Sequence, residues 1–275
     1  MASEKLVRLD KSGPVVSVTM TRPDVHNAFN EHLIAQLRQA FEDIRGDDET
    51  RVVVLAGEGK SFSAGADLDW MRRAAAFSEK ENLRDAAAAA ALWRTIAECP
   101  HPVVARVHGN AFGGGAGLVA ASDIGIAVET AMFGFTEVRL GLVPATVAPH
   151  VVEKLGPGRA LPLFLTGERF DARTALAIGL VHQVVTVNEL DVAVGGVVDS
   201  LLLGGPDAQN ACKRLVRHVA SADRSEVDGY TAAMIAGARA GEEGREGVAA
   251  FLEKRRPGWT PHPQPLSRTR ERGGS

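Results

Sequence analysis

Two short apolar runs, Val52-Val53-Val54-Leu55-Ala56 and Val103-Val104-Ala105-Arg106-Val107, each lead into a loop of small residues and then into helical sequence. A strand that lacks polar alternation is buried on both faces, as the strands of parallel sheets are. Parallel neighbours cannot be joined by a tight hairpin, so helices must carry the chain back across the sheet. The recurrence of this unit therefore restricts the chain to an α/β fold with parallel strands joined by right-handed crossovers.

The remaining elements fit that frame. Leu6-Val7-Arg8-Leu9 and Pro14-Val15-Val16-Ser17-Val18-Thr19-Met20 read as strands with a turn at Ser12-Gly13. Asn30 is placed to cap a helix carrying Leu33, Ile34, Leu37, Ala40, Phe41 and Ile44 at helical spacing, with Gly46 as its stop. Residues 79–98 predict a long helix, with the alanine run at its middle as helix-forming sequence and Pro100 and Pro102 beyond its end. Asp123-Ile124-Gly125-Ile126-Ala127-Val128 and Met132-Phe133-Gly134 predict further strands. After about Leu180 the sequence turns helical, over 189–203, 206–220, 226–240 and 243–254. We expect a core over 1–195, a helical segment over 196–259 and a disordered Pro- and Arg-rich tail over 260–275.

Composition excludes several functions. Lys+Arg 31 against Asp+Glu 34 gives a net charge of −3, and no basic stripe lies outside the tail, which argues against nucleic acid as a partner. Cys99 and Cys212 are far apart and form no CxxC, which points to a reducing, cytoplasmic setting without a disulfide framework. The first residues carry no apolar core of a signal peptide, and no apolar stretch is long enough to span a membrane. No His, Cys or carboxylate set has metal-ligand spacing, so no metal is expected. His101 and His108 flank one strand and read as structural, and Cys99 as packed.

Glycine is where the sequence departs from the ordinary. Average usage would give roughly 19 glycines; the chain has 29. They gather in two loops between strand and helix. One is Ser61-Phe62-Ser63-Ala64-Gly65-Ala66-Asp67, whose backbone N–H groups are free to face an anion unless this is only a tight loop with an Asp cap. The other is His108-Gly109-Asn110-Ala111-Phe112-Gly113-Gly114-Gly115-Ala116-Gly117. Successive glycines cost backbone entropy there, and they serve either close packing or bare N–H groups. Gly115-Ala116-Gly117-Leu118-Val119-Ala120 also fits a dinucleotide fingerprint, with Glu129 or Glu137 as its acid, but the preceding strand ends too early for the required turn. Finally, Glu137 is a lone carboxylate in the apolar stretch 133–144. It is either a proton carrier with a raised pKa or the surface partner of Arg139.

Together these segments resemble the enoyl-CoA hydratase/isomerase (crotonase) family. The resemblance is carried by Arg22-Pro23 with Asn27-Ala28, Phe62 to Asp67, Gly113-Gly114-Gly115, Phe133 to Pro144, Leu165-Thr166-Gly167-Glu168, Ala175 to Val181 and Gly247 to Pro257, and it covers about residues 5 to 259. It implies a ββα spiral core with a helical C-terminal part that drives trimerisation, as a homotrimer or a dimer of trimers. It implies an acyl-CoA substrate and no separate cofactor, coenzyme A being part of the substrate. The family's oxyanion hole maps onto the N–H groups of Ala66 and Gly114. Its CoA contacts map onto Val25, Asn27, Ala28, Ser63, Ala64, Ala66, Asp67 and Leu68, with Gly113, Gly114 and Pro144 also at the site. Phe251 and Lys254 would reach the adenosine end from a neighbouring subunit.

Hydratases of the family place two glutamates around the attacking water. The second matches Glu137, but the first falls on Gly117. Residues 65–72, 114–118 and 136–146 look like a bacterial subgroup assigned as methylglutaconyl-CoA or carboxygeranoyl-CoA-type hydratases. The expected function is hydration of a 2-enoyl-CoA, with Arg72, Arg73 or Arg84 as candidate partners of a carboxylate on the acyl chain. The alternatives are a Δ3,Δ2-enoyl-CoA isomerase using Glu137 alone, an NAD-dependent oxidoreductase and a catalytically silent CoA-binding protein.

Overall fold

The structure, a computed structural model, describes residues 4–260. The expected tail thus lies, apart from Thr260, outside the described residues. Contacts divide the chain into one unit through Leu201 and a second from Leu202 onward.

The first unit opens with β1 (Val7–Ser12) and β2 (Val15–Met20), an antiparallel pair turned at Gly13, where φ is +55°. Helix α1 (Glu31–Arg45) begins at Asn30, whose side chain accepts from the Leu33 N–H, and buries the six apolar residues of its predicted stripe. Three successive passes then repeat one pattern. Strand β3 (Val52–Gly57) is followed by the short β4 (Ser61–Ser63), then α2 (Leu68–Ala74) and α3 (Glu79–Ala97). Strand β5 (Val103–Val107) is followed by β6 (Asn110–Phe112) and α4 (Gly114–Ala121). Strand β7 (Ile124–Val128) is followed by β8 (Met132–Gly134) and a single 3-10 turn, Glu137–Leu140.

The long strands share one six-stranded sheet and the short ones a second, four-stranded sheet. This is the ββα spiral. Helices α5 (Ala148–Leu155), α6 (Pro157–Thr166) and α7 (Ala172–Ile178) follow, with β9 (Arg169–Asp171) closing the small sheet antiparallel to β8. Strand β10 (Gln183–Val185) adds to the large sheet parallel to β7. Both segments expected as loops between strand and helix therefore contain three-residue strands. Their small residues give no periodic signal, and β4 and β6 exist because they pair with each other.

Helix α8 (Leu190–Leu202) runs unbroken past the expected 195/196 boundary, and the contact division falls at its end. The second unit holds α9 (Pro206–Ser221), α10 (Arg224–Ala240) and α11 (Glu242–Leu252). The Glu243 carboxylate accepts from the Asp207 and Ala208 N–H groups at 2.9 and 2.8 Å and so caps α9. No helix among the described residues is long and apolar enough to cross a membrane.

One buried amide ties the linker after β2 to the strands beside it. Asn27 is fully buried at φ +53°, a left-handed conformation that asparagine tolerates. Its Oδ1 accepts from the Arg22 N–H at 2.9 Å, and its Nδ2 donates to Glu58 O at 2.8 Å and Ser61 O at 2.9 Å. Its own carbonyl accepts from the Ser63 hydroxyl at 2.9 Å. Asn27→Ala strands these buried backbone groups, each costing about 1–3 kcal/mol. We expect a loss of about 2–4 kcal/mol in equilibrium denaturation.

Candidate functional site

The two glycine loops meet. Gly65 and Gly113 both hold positive φ, +90° and +50°. A Cβ on Gly113 would lie 3.8 Å from Gly65 Cα, and one on Gly65 would lie 3.0 Å from Phe112 O. Both positions favour glycine for their positive φ, and Gly65 also for its approach to the Phe112 carbonyl.

That approach aims two amides into one space. Ala66 forms a parallel bridge with Phe29, in which the Phe29 N–H donates to Gly65 O at 2.7 Å and the Asp67 N–H to Phe29 O at 2.9 Å. In such a bridge the N–H of Ala66 itself faces away from Phe29. Gly114 is the first residue of α4, where an N–H has no acceptor within the helix. Among the described residues neither N–H has a protein acceptor.

Asp67 braces the first loop from behind. It caps α2 through the Asp69 and Trp70 N–H groups at 2.8 and 3.2 Å and takes a 2.9 Å ion pair from Arg22. Burial pushes its carboxyl up, but the Trp70 N–H, Arg22 and the Asp69 N–H outweigh it and hold it below the ordinary carboxylate value. Arg22 also donates to Ala28 O.

Glu137 starts the 3-10 turn after β8, at the same cavity. A Cβ on Gly113 would lie 3.1 Å from its Oε1. Its Oε2 is buried with no hydrogen-bond partner among the described residues, and burial raises its pKa. The surface pair with Arg139 does not form; the Arg139 guanidinium donates instead to Thr166 O at 3.4 Å. Glu137 is thus the desolvated carboxylate, with one oxygen beside Gly113.

These groups line a cavity of about 370 Å3 within the first unit. Of the expected site residues, Ala64, Ala66, Leu68, Gly113, Gly114 and Glu137 line it. Asn27, Ser63 and Asp67 are buried beside it with their side chains spent on backbone or Arg22. Ala28 and Pro144 are buried, and Val25 is exposed on the turn Pro23–Val25. Phe251 and Lys254 lie in the second unit, Phe251 strongly exposed and Lys254 at φ +54°.

Arg72 pairs with Asp69 and Arg73 with Glu31, and neither they nor Arg84 line the cavity. Its charged groups are Glu137 and Asp85. Asp85 accepts from the Trp70 Nε1–H at 3.3 Å, and burial raises its pKa. Sequence reading missed Asp85, Trp93 and Phe29. The signal was available: Asp85, Ala89 and Trp93 recur every four residues along α3 and share one face.

The dinucleotide fingerprint dissolves in the structure. Gly115 and Gly117 are the second and fourth residues of α4, which starts just after β6. A Cβ on Gly115 would meet Ser63 O at 2.7 Å, so that glycine serves close packing. A Cβ on Gly117 would lie 2.3 Å from Val147 Cγ1 and 2.8 Å from Trp93 Nε1. The space beside Gly117 is filled by neighbouring side chains.

Comparison with known proteins decides the family. The enoyl-CoA hydratase/isomerase family profile matches residues 10–262. The chain belongs to the enoyl-CoA hydratase/isomerase family. Within it, a crystal structure of an enoyl-CoA hydratase from Shewanella pealeana superposes with a TM-score of 0.89 at 38% identity, covering 93% of this chain and 96% of that one. An enoyl-CoA hydratase/isomerase structure from Marinobacter aquaeolei gives 0.88 at 35% identity, over 93% and 99%. The crotonyl-CoA hydratase of Syntrophomonas wolfei is 31% identical over 258 residues, 93% of this chain and 98% of that protein.

The family resemblance puts a hydratase's first glutamate at Gly117, which invites its introduction there. We expect Gly117→Glu to fail as a repair, because the new side chain meets Val147 and Trp93 and buries a charge. Urea denaturation should show a loss of about 3 kcal/mol or more, with no gain in turnover.

Proposed function

We propose that the chain hydrates the 2,3 double bond of a 2-enoyl-CoA thioester. One observation carries this reading: two acceptorless N–H groups and one desolvated carboxylate converge across Gly113. The Ala66 and Gly114 N–H groups hold the thioester oxygen and stabilise the charge that grows on it as water adds to C3. One such donor is typically worth about 10²–10³ in rate. Ionised Glu137 takes a proton from the attacking water and delivers a proton to C2, serving as base and then acid. With position 117 closed to a side chain, one carboxylate does both tasks.

The CoA portion is assigned to Val25, Asn27, Ala28 and residues 63–68, with Phe251 and Lys254 of a neighbouring subunit at the adenosine end. A trimer or dimer of trimers in the cytoplasm is the assembly in which that sharing works. An apolar groove between α9 and α10, lined by Ala211, Leu215 and Met234 among others, supports association through the second unit. For the acyl chain, 3-methylglutaconyl-CoA represents the branched, carboxylated class expected from the subgroup. Against a carboxylated chain stands a cavity whose charged lining groups are both acids. We therefore favour an uncharged branched chain. A panel of enoyl-CoA thioesters, 3-methylglutaconyl-CoA included, ranks the two by kcat/KM.

The lack of a carboxylate at position 117 also favours a second reading, a Δ3,Δ2-enoyl-CoA isomerase in which Glu137 carries one proton between C4 and C2. Supplying a 2-enoyl-CoA and a 3-enoyl-CoA separately divides the readings. A hydroxyacyl-CoA product marks hydration, and a shifted double bond alone marks isomerisation.

We expect Glu137→Gln to lower kcat by about 10²–10⁴-fold while CoA thioester binding, read by calorimetry, stays within about threefold, or roughly 0.6 kcal/mol. Near-complete retention of hydratase activity would sink the assignment. Because the ionised form starts the reaction, kcat/KM should fall as pH drops, with an inflection above the ordinary glutamate value of about 4.3. Between that value and the raised one the folded state binds the extra proton, so ionising Glu137 costs stability as pH rises. Glu137→Gln should accordingly melt no lower than the parent at neutral pH.

A further inference from the structure

Phe29 and Trp93 belong to neither glycine loop, yet each grips one of the two N–H donors. Phe29 brackets Ala66 through its backbone, accepting from the Asp67 N–H and donating to Gly65 O. Trp93, one face of α3, donates from Nε1 to Gly114 O at 3.1 Å. The two rings pack on each other, with centroids 5.6 Å apart and planes inclined at 56°. Both are nearly inaccessible, at 2% and 3% exposure. They also crowd Gly114 directly. A Cβ there would lie 2.9 Å from Trp93 Cζ2 and 3.1 Å from the Phe29 ring.

We propose that the Phe29–Trp93 pair positions the oxyanion site, setting the spacing and direction of the Ala66 and Gly114 N–H groups. The inference rests on the reading of those groups as the thioester-oxygen site. The physical argument is one of stiffness. Each donor follows a glycine with positive φ, and a glycine loop left alone samples many backbone conformations. An oxyanion site works only if its dipoles are already aimed before charge develops. Hydrogen bonds from Phe29 hold the residues on both sides of Ala66, so the Ala66 peptide cannot rotate freely. The indole N–H holds the Gly114 carbonyl, which fixes the peptide plane following the donor. Ring packing then joins the two clamps into one body, so the donors move together or not at all. Trp93 meets Gly117 as well, at 2.8 Å from a notional Cβ. The residue that aims Gly114 is therefore also one of those that close position 117 to a second carboxylate.

Two variants separate the clamps. Trp93→Phe keeps an aromatic ring against Phe29 and removes the N–H. Phe29→Leu keeps the backbone bracket on Ala66 and removes the ring. The measurements are kcat and KM on a 2-enoyl-CoA, thermal melting, and the infrared carbonyl stretch of a bound enoyl-CoA labelled with 13C at the thioester carbon. In the parent protein the bound stretch should lie below its value in water, because the two N–H groups polarise the bond. An unshifted stretch in the parent overturns the thioester-oxygen reading itself. Where the parent shows the shift, each variant should lose about 10–100-fold in kcat, the scale of an ångström-sized misplacement. KM should move far less, and the stretch should return toward the water value. A full parental shift in both variants overturns the positioning role, even if kcat falls, because a merely structural residue leaves the carbonyl polarised. Should Trp93→Phe not fold, Phe29→Leu decides alone on the same readouts.

Discussion

Just past the paired strands β4 and β6 the chain passes itself with no side chain in between. Gly65 and Gly113 stand backbone to backbone, each in a conformation that L side chains rarely adopt. Most of the site depends on that contact. It brings the end of β4 next to the end of β6, so the residue after each glycine turns its N–H into a shared cavity. It leaves the Glu137 carboxylate as the next group against Gly113. A methyl on Gly65 would press on the Phe112 carbonyl, and one on Gly113 would press on the Glu137 carboxylate. The supporting shell is polar and buried for the same reason. Asn27, Ser63 and Asp67 spend their hydrogen bonds holding the loop whose tip must stay bare.

Gly117 carries a different constraint. Its neighbours have grown into the space that a side chain would take, with Val147 on one side and Trp93 on the other. The absence of a carboxylate there is built into the packing and is not a single reversible change. With no carboxylate at position 117, the fold leaves Glu137 with one oxygen that has no hydrogen-bond partner among the described residues.

Much of this was legible in the sequence. Apolar runs at 52–56 and 103–107 announced the parallel strands, and Asn30, Gly46 and the stripe from Leu33 to Ile44 announced α1 with its cap and stop. The glycine loops and Glu137 stood out because entropy and desolvation make such residues costly without a use. The short strands β4 and β6 were hidden, since three residues carry no period and their pairing is settled by distant chain. Asp85 and Trp93 show their shared helix face by spacing, but that this face and Phe29 meet a cavity was hidden for a related reason. Each looks like an ordinary member of an apolar or alanine-rich helix or turn until the fold shows which face meets the cavity. The arginines at 72, 73 and 84 drew attention by charge alone, and local acids satisfy two of them.

The donors and the carboxylate share one demand on their surroundings. Removing water strengthens an N–H dipole acting on a developing oxyanion, because the local dielectric falls. The same removal raises the pKa of Glu137 and brings it nearer to the pH at which a proton can be both taken and returned. A cation beside Glu137 would undo this by holding it ionised and weakly basic. Arg139, two residues away, is instead drawn off toward Thr166 O. Asp85, on the opposite helix, is tied to the Trp70 indole and adds negative charge to the cavity without adding a cation. Desolvation, the lack of a local cation and the bare amides thus act in one direction. Under the proposed function they suit an acyl chain that brings no charge into the cavity and develops it only on the oxygen that the two amides face.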